Sequence, residues 1–283
     1  MIRTSLPRKI FLLINALFVV LSCLVILFPL WMVFITSLSS NADAARESFV
    51  IIPKGLELTS YISVFTTGGY FSSFIRSIWI TIAATAVSMV ISTTMAYALA
   101  QKELIWRNGF MNLILLTMIL DGGIIPFYMV VRSLGMINSY WSLIIPTAVS
   151  TYNLILLRNF FRTIPGSLFE SARLDGANEL KILVKIVFPV SIPIIAAITL
   201  FYLVIHWNRY YEVIMFITST SKYTVQVLLR NLIFQGEADG AYVIMANNFK
   251  MAVMVIAMLP ILVVYPFIQK YFISGLMLGS IKG

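Results

Sequence analysis

Between Ile10 and Ala42 the chain carries no charged residue, and further long apolar runs follow at roughly 72–99, 109–131, 140–160, 184–206 and 248–269. A helix needs about 20 mainly apolar residues to cross a bilayer, where no water is present to satisfy its backbone. With the first run taken as 11–36, six stretches qualify, and the sequence predicts an all-α polytopic membrane protein with six transmembrane helices. Asp121 is the one ionisable residue near the middle of any of them.

Composition closes the soluble alternatives. Of 283 residues, 60% are hydrophobic and 11% charged, whereas ordinary globular chains carry roughly 25% charged residues. The net charge of +9 does not indicate nucleic acid, because the basic residues stand singly between apolar runs and form no block with interleaved aromatics. Cys23 is the lone cysteine, so neither an intrachain disulfide nor a CxxC metal site is available. The charge-free first run is too long for a cleaved signal peptide and lacks an A-x-A-like site, which makes it a signal-anchor helix. Neither a fixed-period repeat nor a low-complexity tract is present.

Lysine and arginine are retained on the cytoplasmic side more readily than they are translocated. With the N-terminus inside, Arg3, Arg8, Lys9, Lys102, Arg107, Arg158, Arg162, Arg173, Lys181, Lys185, Lys270 and Lys282 fall on that side, and six crossings return the C-terminus to it. The long segments at about 37–71 and 207–247 then lie outside. Most aromatics, among them Trp31, Tyr70, Trp106, Trp141 and Trp207, stand near the ends of these runs, where amphipathic rings sit at headgroup level.

The loop after the fourth run is polar yet reads as structured. Pro165 and Ser167 mark a helix start, with Glu170 three residues after Ser167 as in a capping box. Leu168, Ala172 and Leu174 give that short helix an apolar side, and Gly176 permits a sharp turn into a second short helix before Pro189 opens the fifth run. A bent elbow of this kind, lying on the membrane face, is suited to rigid contact with another protein.

Here the chain resembles the membrane subunits of binding-protein-dependent ABC importers. Their hallmark is E-A-A, three residues, G, nine residues, I, one residue, then L-P, and this chain has Glu170-Ser171-Ala172, Gly176 and Ile186-Val187-Phe188-Pro189 with both gaps matching. Serine replaces the middle alanine and phenylalanine the leucine. Further stretches, including Gly122-Gly123-Ile124-Ile125-Pro126, His206-Trp207-Asn208 and the ending Gly275 to Gly283, resemble the carbohydrate-uptake branch, of MalG-like type and nearer the LplC/YtcP-like group.

The resemblance implies a type I importer permease fold, MetI-like, with an anchor helix and first outer segment at 1–71, a permease core at 72–270 with its coupling loop at 163–182, and a cytoplasmic tail at 271–283. It implies that Glu170 pairs with a basic group of an ATPase, that Ser171 and Ala172 pack closely, that Gly176 supplies the bend, and that Asp175, Ala177 and Pro189 complete the coupling motif. The tail, with Gly279 and Lys282, would reach toward the ATPase interface. The implied partners are a second homologous permease subunit, two ATPase subunits, an extracytoplasmic binding protein and a sugar or oligosaccharide.

No G-x-x-x-x-G-K-[ST] occurs, so this chain has no P-loop, is not expected to be an enzyme, and leaves ATP and Mg2+ to a separate ATPase. Asp121, costly within a bilayer, is a translocation-pathway candidate, or else an acceptor for backbone freed where the Gly pair and Pro126 break the third helix. His206, Trp207, Asn208 and Tyr210 suit sugar recognition, although a plain interfacial anchor explains the same residues and is the preferred reading; without a second His or a Cys partner they suggest no metal site. A secondary transporter would carry several midplane charges, a channel a filter or an arginine ladder, and a membrane enzyme a catalytic constellation. The chain offers none of these.

Overall fold

The computed structural model describes residues 6–40, 52, 55–66, 69–120, 122–238 and 247–280, and among these every regular element is helical. In chain order they are α1 (Leu6–Leu38), α2 (Thr59–Thr66), α3 (Tyr70–Ala100), α4 (Arg107–Ile119), α5 (Ile124–Ser133), α6 (Trp141–Ile144), α7 (Thr151–Phe161), α8 (Gly166–Leu174), α9 (Glu179–Ile182), a π-helical turn (Leu183–Val187), α10 (Phe188–Val190), α11 (Ile192–Trp207), α12 (Tyr211–Phe216), a 3-10 turn (Thr220–Lys222), α13 (Val225–Ala238) and α14 (Asn247–Ser280).

The apolar runs do not all become single rods. Among the described residues three stretches are long and apolar enough to cross a membrane, Pro7–Leu38, Tyr70–Ala100 and Asn247–Phe267, and Glu179–Val190 with Ile192–Trp207 makes a fourth if that bent pair is one span. The third run, expected as one helix over 109–131, is broken between α4 and α5: Leu120 is extended and Gly123 has φ 79°. The fourth run breaks after α6, where Pro146 lacks the N–H a helix needs, and α7 restarts on Ser150, whose side chain accepts from Asn153 N. The fifth run bends by 89° at Ser191. Pro193, two residues on, has no N–H to offer the carbonyl of Pro189, so the helix restarts.

The chain divides into two compact units. The first, Met1–Phe71 with Leu229–Met258, has its core where the end of α1 meets α2 and the start of α14, with Ile35, Val64, Tyr70, Ala252 and Val253 buried. Ser37 Oγ lies 2.7 Å from the Tyr61 hydroxyl, Asn248 Nδ2 donates to Ser39 O at 3.0 Å, and Tyr70 meets Phe249 edge to face. Earlier in α1, from Pro7 to Phe28, nearly every residue is exposed, which a helix this apolar tolerates only in lipid.

The second unit, Ser72–Leu228 with Leu259–Gly283, has two cores. One gathers Ala96, Tyr97, Leu154, Leu157, Phe161, Ile182, Val187, Ile198 and Tyr202; the other gathers Ile80, Val131, Leu143, Val213, Phe216 and Val227. A row of small polar residues on α3 faces the first core's upper end: Ser92 Oγ is 2.6 Å from Tyr202 Oη, which also accepts from Ser150 N at 3.0 Å. Near the second core Asn138, with φ 60°, joins two loops by accepting from Ser219 N and donating to Ser219 Oγ. Because Tyr202 is 1% and Ser92 0% exposed, Tyr202→Phe leaves the buried Ser92 hydroxyl and the half-buried Ser150 N–H without this partner; it is expected to cost about 1–3 kcal/mol, read as a lowered Tm of the purified protein, with Tyr152→Phe, at an exposed site, as the unaffected control.

Candidate functional site

The polar loop is an elbow. Helix α8 ends on Asp175, and Gly176, with φ 74°, turns the chain. Gly176 N donates to Arg173 O and Ala177 N to Ala172 O, both at 3.0 Å, the paired bonds of a Schellman motif that satisfy the last carbonyls of the helix. Ala172 and Ala177 pack into the same apolar cluster, supplying the contact that accompanies this motif. Asn178 then caps α9, its Oδ1 accepting from Lys181 N at 2.8 Å.

Two expectations about the elbow need correction. Ser167 does not cap: the helix starts at Gly166 directly after Pro165, which places Ser167 inside the first turn and leaves no side-chain cap. Nor does the helix have an apolar side of three residues. Ala172 is buried, but Leu168 is 42% and Leu174 89% exposed, because the nine-residue helix touches the core only with the face around Phe169 and Ala172. Glu170, Ser171 and Asp175 are exposed as well, and Pro189 is exposed in α10.

A polar lock absent from the sequence reading holds the elbow to the end of α3. The Tyr97 hydroxyl donates to Glu179 Oε2, and Arg173 Nε donates to Glu179 Oε1 at 3.0 Å. The bond to Glu179 raises the Arg173 guanidinium above its ordinary value, against an opposing effect of burial. Tyr97 and Glu179 are 82 residues apart, and no local pattern links them.

The second candidate group lies at the far end of α11. His206 and Trp207 are 5% and 4% exposed, with His206 Nε2 3.0 Å from Ser88 Oγ and its ring stacked on Tyr202 at 5.8 Å. His206 Nδ1 is buried without a hydrogen-bond partner among the described residues. Trp207 meets Phe74 edge to face. Arg209, which the sequence placed only beside these residues, is buried too; its guanidinium donates to Leu143 O and pairs with Glu212 at 3.5 Å. Burial pushes the Arg209 guanidinium down from its ordinary value, and Glu212 opposes that. His206, Trp207 and Arg209 share one cavity of about 10 Å³ with Ser77, Thr81 and Thr224, room for about one water molecule. Asn208 is outside it, exposed and bonded back to Val204 O at 3.0 Å, and Tyr210 rests on Tyr211 with ring centroids 4.4 Å apart. Asp121 and Lys282 lie outside the described residues, and Gly279 falls within α14.

An all-helical chain with a capped elbow between broken spans is the architecture of an importer's membrane subunit, and residues 100–277 match the family described as binding-protein-dependent transport system inner membrane component. The chain belongs to that family and is an inner-membrane permease subunit with the MetI-like permease fold. It is 42% identical to the polygalacturonan/rhamnogalacturonan transport system permease protein YtcP of Bacillus subtilis (strain 168), over 94% of this chain and 96% of that one. It is 41% identical to protein LplC of the same organism, over 87% and 86%. The crystal structure of a bacterial ABC transporter involved in the import of the acidic polysaccharide alginate superposes with TM-score 0.88 at 30% identity, covering 96% of this chain and 100% of that chain.

The Schellman turn yields a direct test. A Cβ at Gly176 meets nothing within 4 Å, so Gly176→Ala introduces only the backbone cost of the left-handed conformation, about 1–2 kcal/mol. Amide exchange at Ala177 is expected to accelerate about tenfold, while Gly166→Ala, in open space at an ordinary φ, leaves it unchanged.

Proposed function

We propose that this chain forms half of the translocation pathway of an ABC importer for oligosaccharides, and that residues 163–182 are its contact with the ATPase. The supporting observation is the elbow itself. Its root, Ala172 and Ile182, is buried in the transmembrane core, while Leu168, Glu170 and Leu174 stand free at its tip. Exposed apolar residues flanking a carboxylate on a firmly rooted short helix form a docking tip, with Glu170 meeting a cation of the ATPase and Leu174 an apolar recess.

In this reading the chain crosses the membrane six times with both termini in the cytoplasm, the runs broken at 120–123 and 145–150 counting as crossings whose irregular backbone lies within the assembled protein. It divides functionally into 1–71, 72–270 and 271–283, with Gly279 and Lys282 reaching toward the ATPases. A homologous but distinct permease subunit supplies the other half of the pathway, an extracytoplasmic binding protein delivers solute, and two ATPases carry ATP and Mg2+. Their closure on ATP draws the two elbows together and opens the cavity outward.

By their names, YtcP belongs to a polygalacturonan/rhamnogalacturonan transport system and the superposed transporter is involved in alginate import, which supports oligosaccharides, uronate-containing ones first, as the cargo. Asp121, His206, Trp207, Asn208 and Tyr210 are the pathway candidates of this half, of which His206 and Trp207, buried around room for about one water, meet solute only where the cavity opens. Glu170→Arg and Leu174→Asp place wrong charges at an exposed tip; each is expected to lower ATPase copurification at least tenfold without altering the Tm of the permease, and full retention of the ATPase would contradict the assignment. A strain lacking this chain is expected to lose growth on oligogalacturonides and keep growth on galacturonic acid. Unchanged growth on a panel of acidic and neutral oligosaccharides would exclude the cargo class.

A further inference from the structure

The covalent path from the elbow into α11 is irregular. It passes through the π-helical turn Leu183–Val187 and the 89° break at Ser191, which no side chain caps. Both interrupt the regular i→i−4 ladder of the helix. Helix α3, in contrast, runs uninterrupted from Tyr70 to Ala100 with no internal proline.

At the end of α3 both halves of the elbow converge on one carboxylate. Glu179, on α9, accepts from the Tyr97 hydroxyl with one oxygen and from Arg173, on α8, with the other. Arg173 also donates to Gln101 Oε1 at 3.4 Å and lies 4.0 Å from Glu103 Oε1, in the segment just past α3. Tyr97 is 6% exposed and its ring packs near Phe169, so the lock is buried at its Tyr97 end, while the Arg173 and Glu179 side chains, 35% and 56% exposed, form its solvent-facing end. Further along, Ser92 and Ser88 bond Tyr202 and His206, and near the other end Arg76 donates to Tyr223 O at 2.8 Å. A push on the elbow therefore has a stiff route along α3 to the residues around His206.

We propose that Tyr97, Glu179 and Arg173 are positioning residues that deliver the displacement of the elbow to α3 as a rigid rod while α11 yields at Ser191, an inference that rests on the elbow being the ATPase contact. The apolar cluster around Ala172 and Ile182, which takes in Ala96 and Leu99 of α3, holds the elbow in place without this lock; breaking the lock is expected to loosen the elbow's grip on α3 without unfolding the chain.

The test uses the assembled importer, permease pair with ATPases, in lipid nanodiscs, with Cys23→Ser and an environment-sensitive fluorophore at Ile75→Cys, an exposed position near the far end of α3. Addition of ATP is expected to change the emission. In Tyr97→Phe, which keeps the ring, and in Glu179→Gln, the amplitude is expected to fall about fivefold or more, the lower range of site-to-site coupling, with ATPase copurification intact. The double variant is expected to fall no further than either single one. An unchanged amplitude in the variants, additive losses, or no response to ATP in the unaltered lock would overturn the proposal. So would loss of the ATPase from Tyr97→Phe, which would make the lock a part of the elbow's fold. Failure of the docking assignment itself shows separately, as retention of the ATPase by Leu174→Asp.

Discussion

Helices of nine and four residues do not hold their shape in water, and everything assigned to the elbow depends on what holds it instead. Ala172, Ile182, Leu183 and Val187 sink into a core built by α3, α7 and α11. The Gly176 turn ends α8 with its carbonyls satisfied, and Asn178 starts α9 two residues later. The elbow is thus an outgrowth of the core packing and is rooted in it, which is what a coupling element requires.

The same packing explains where the spans bend. A proline in a lipid-exposed rod is costly unless neighbours meet the freed carbonyl groups. The breaks at Ser150 and Ser191 lie against the core that includes Tyr202 and Val187, and the Tyr202 hydroxyl accepts from Ser150 N. Broken helices therefore sit beside the continuous α3, and its Ser88 and Ser92 supply polar partners to His206 and Tyr202 that hydrocarbon cannot.

Much of this was legible in the sequence because the signals are local or compositional. Long uncharged runs fix a helical membrane chain, and Gly176 with the Glu170-Ser171-Ala172 spacing locates the elbow and its bend. Gly122-Gly123 marks the break in the third run. Hydropathy hides the bend at Ser191, since the apolar run continues across it, and the capping pattern at Ser167 misleads because Pro165 has already set the helix start. The lock of Tyr97 with Glu179 and the burial of Arg209 arise from contacts between distant segments, which periodicity does not encode.

The central claim is that the tip of the elbow faces the cytoplasm and is covered by the ATPase. Leu174→Cys in a Cys23→Ser background puts one reactive thiol at a residue that is 89% exposed. A membrane-impermeant maleimide is predicted to label it in inverted vesicles and not in right-side-out ones, and added ATPase is predicted to protect it. Labelling from the outer face, or labelling that the ATPase leaves unchanged, would contradict the account.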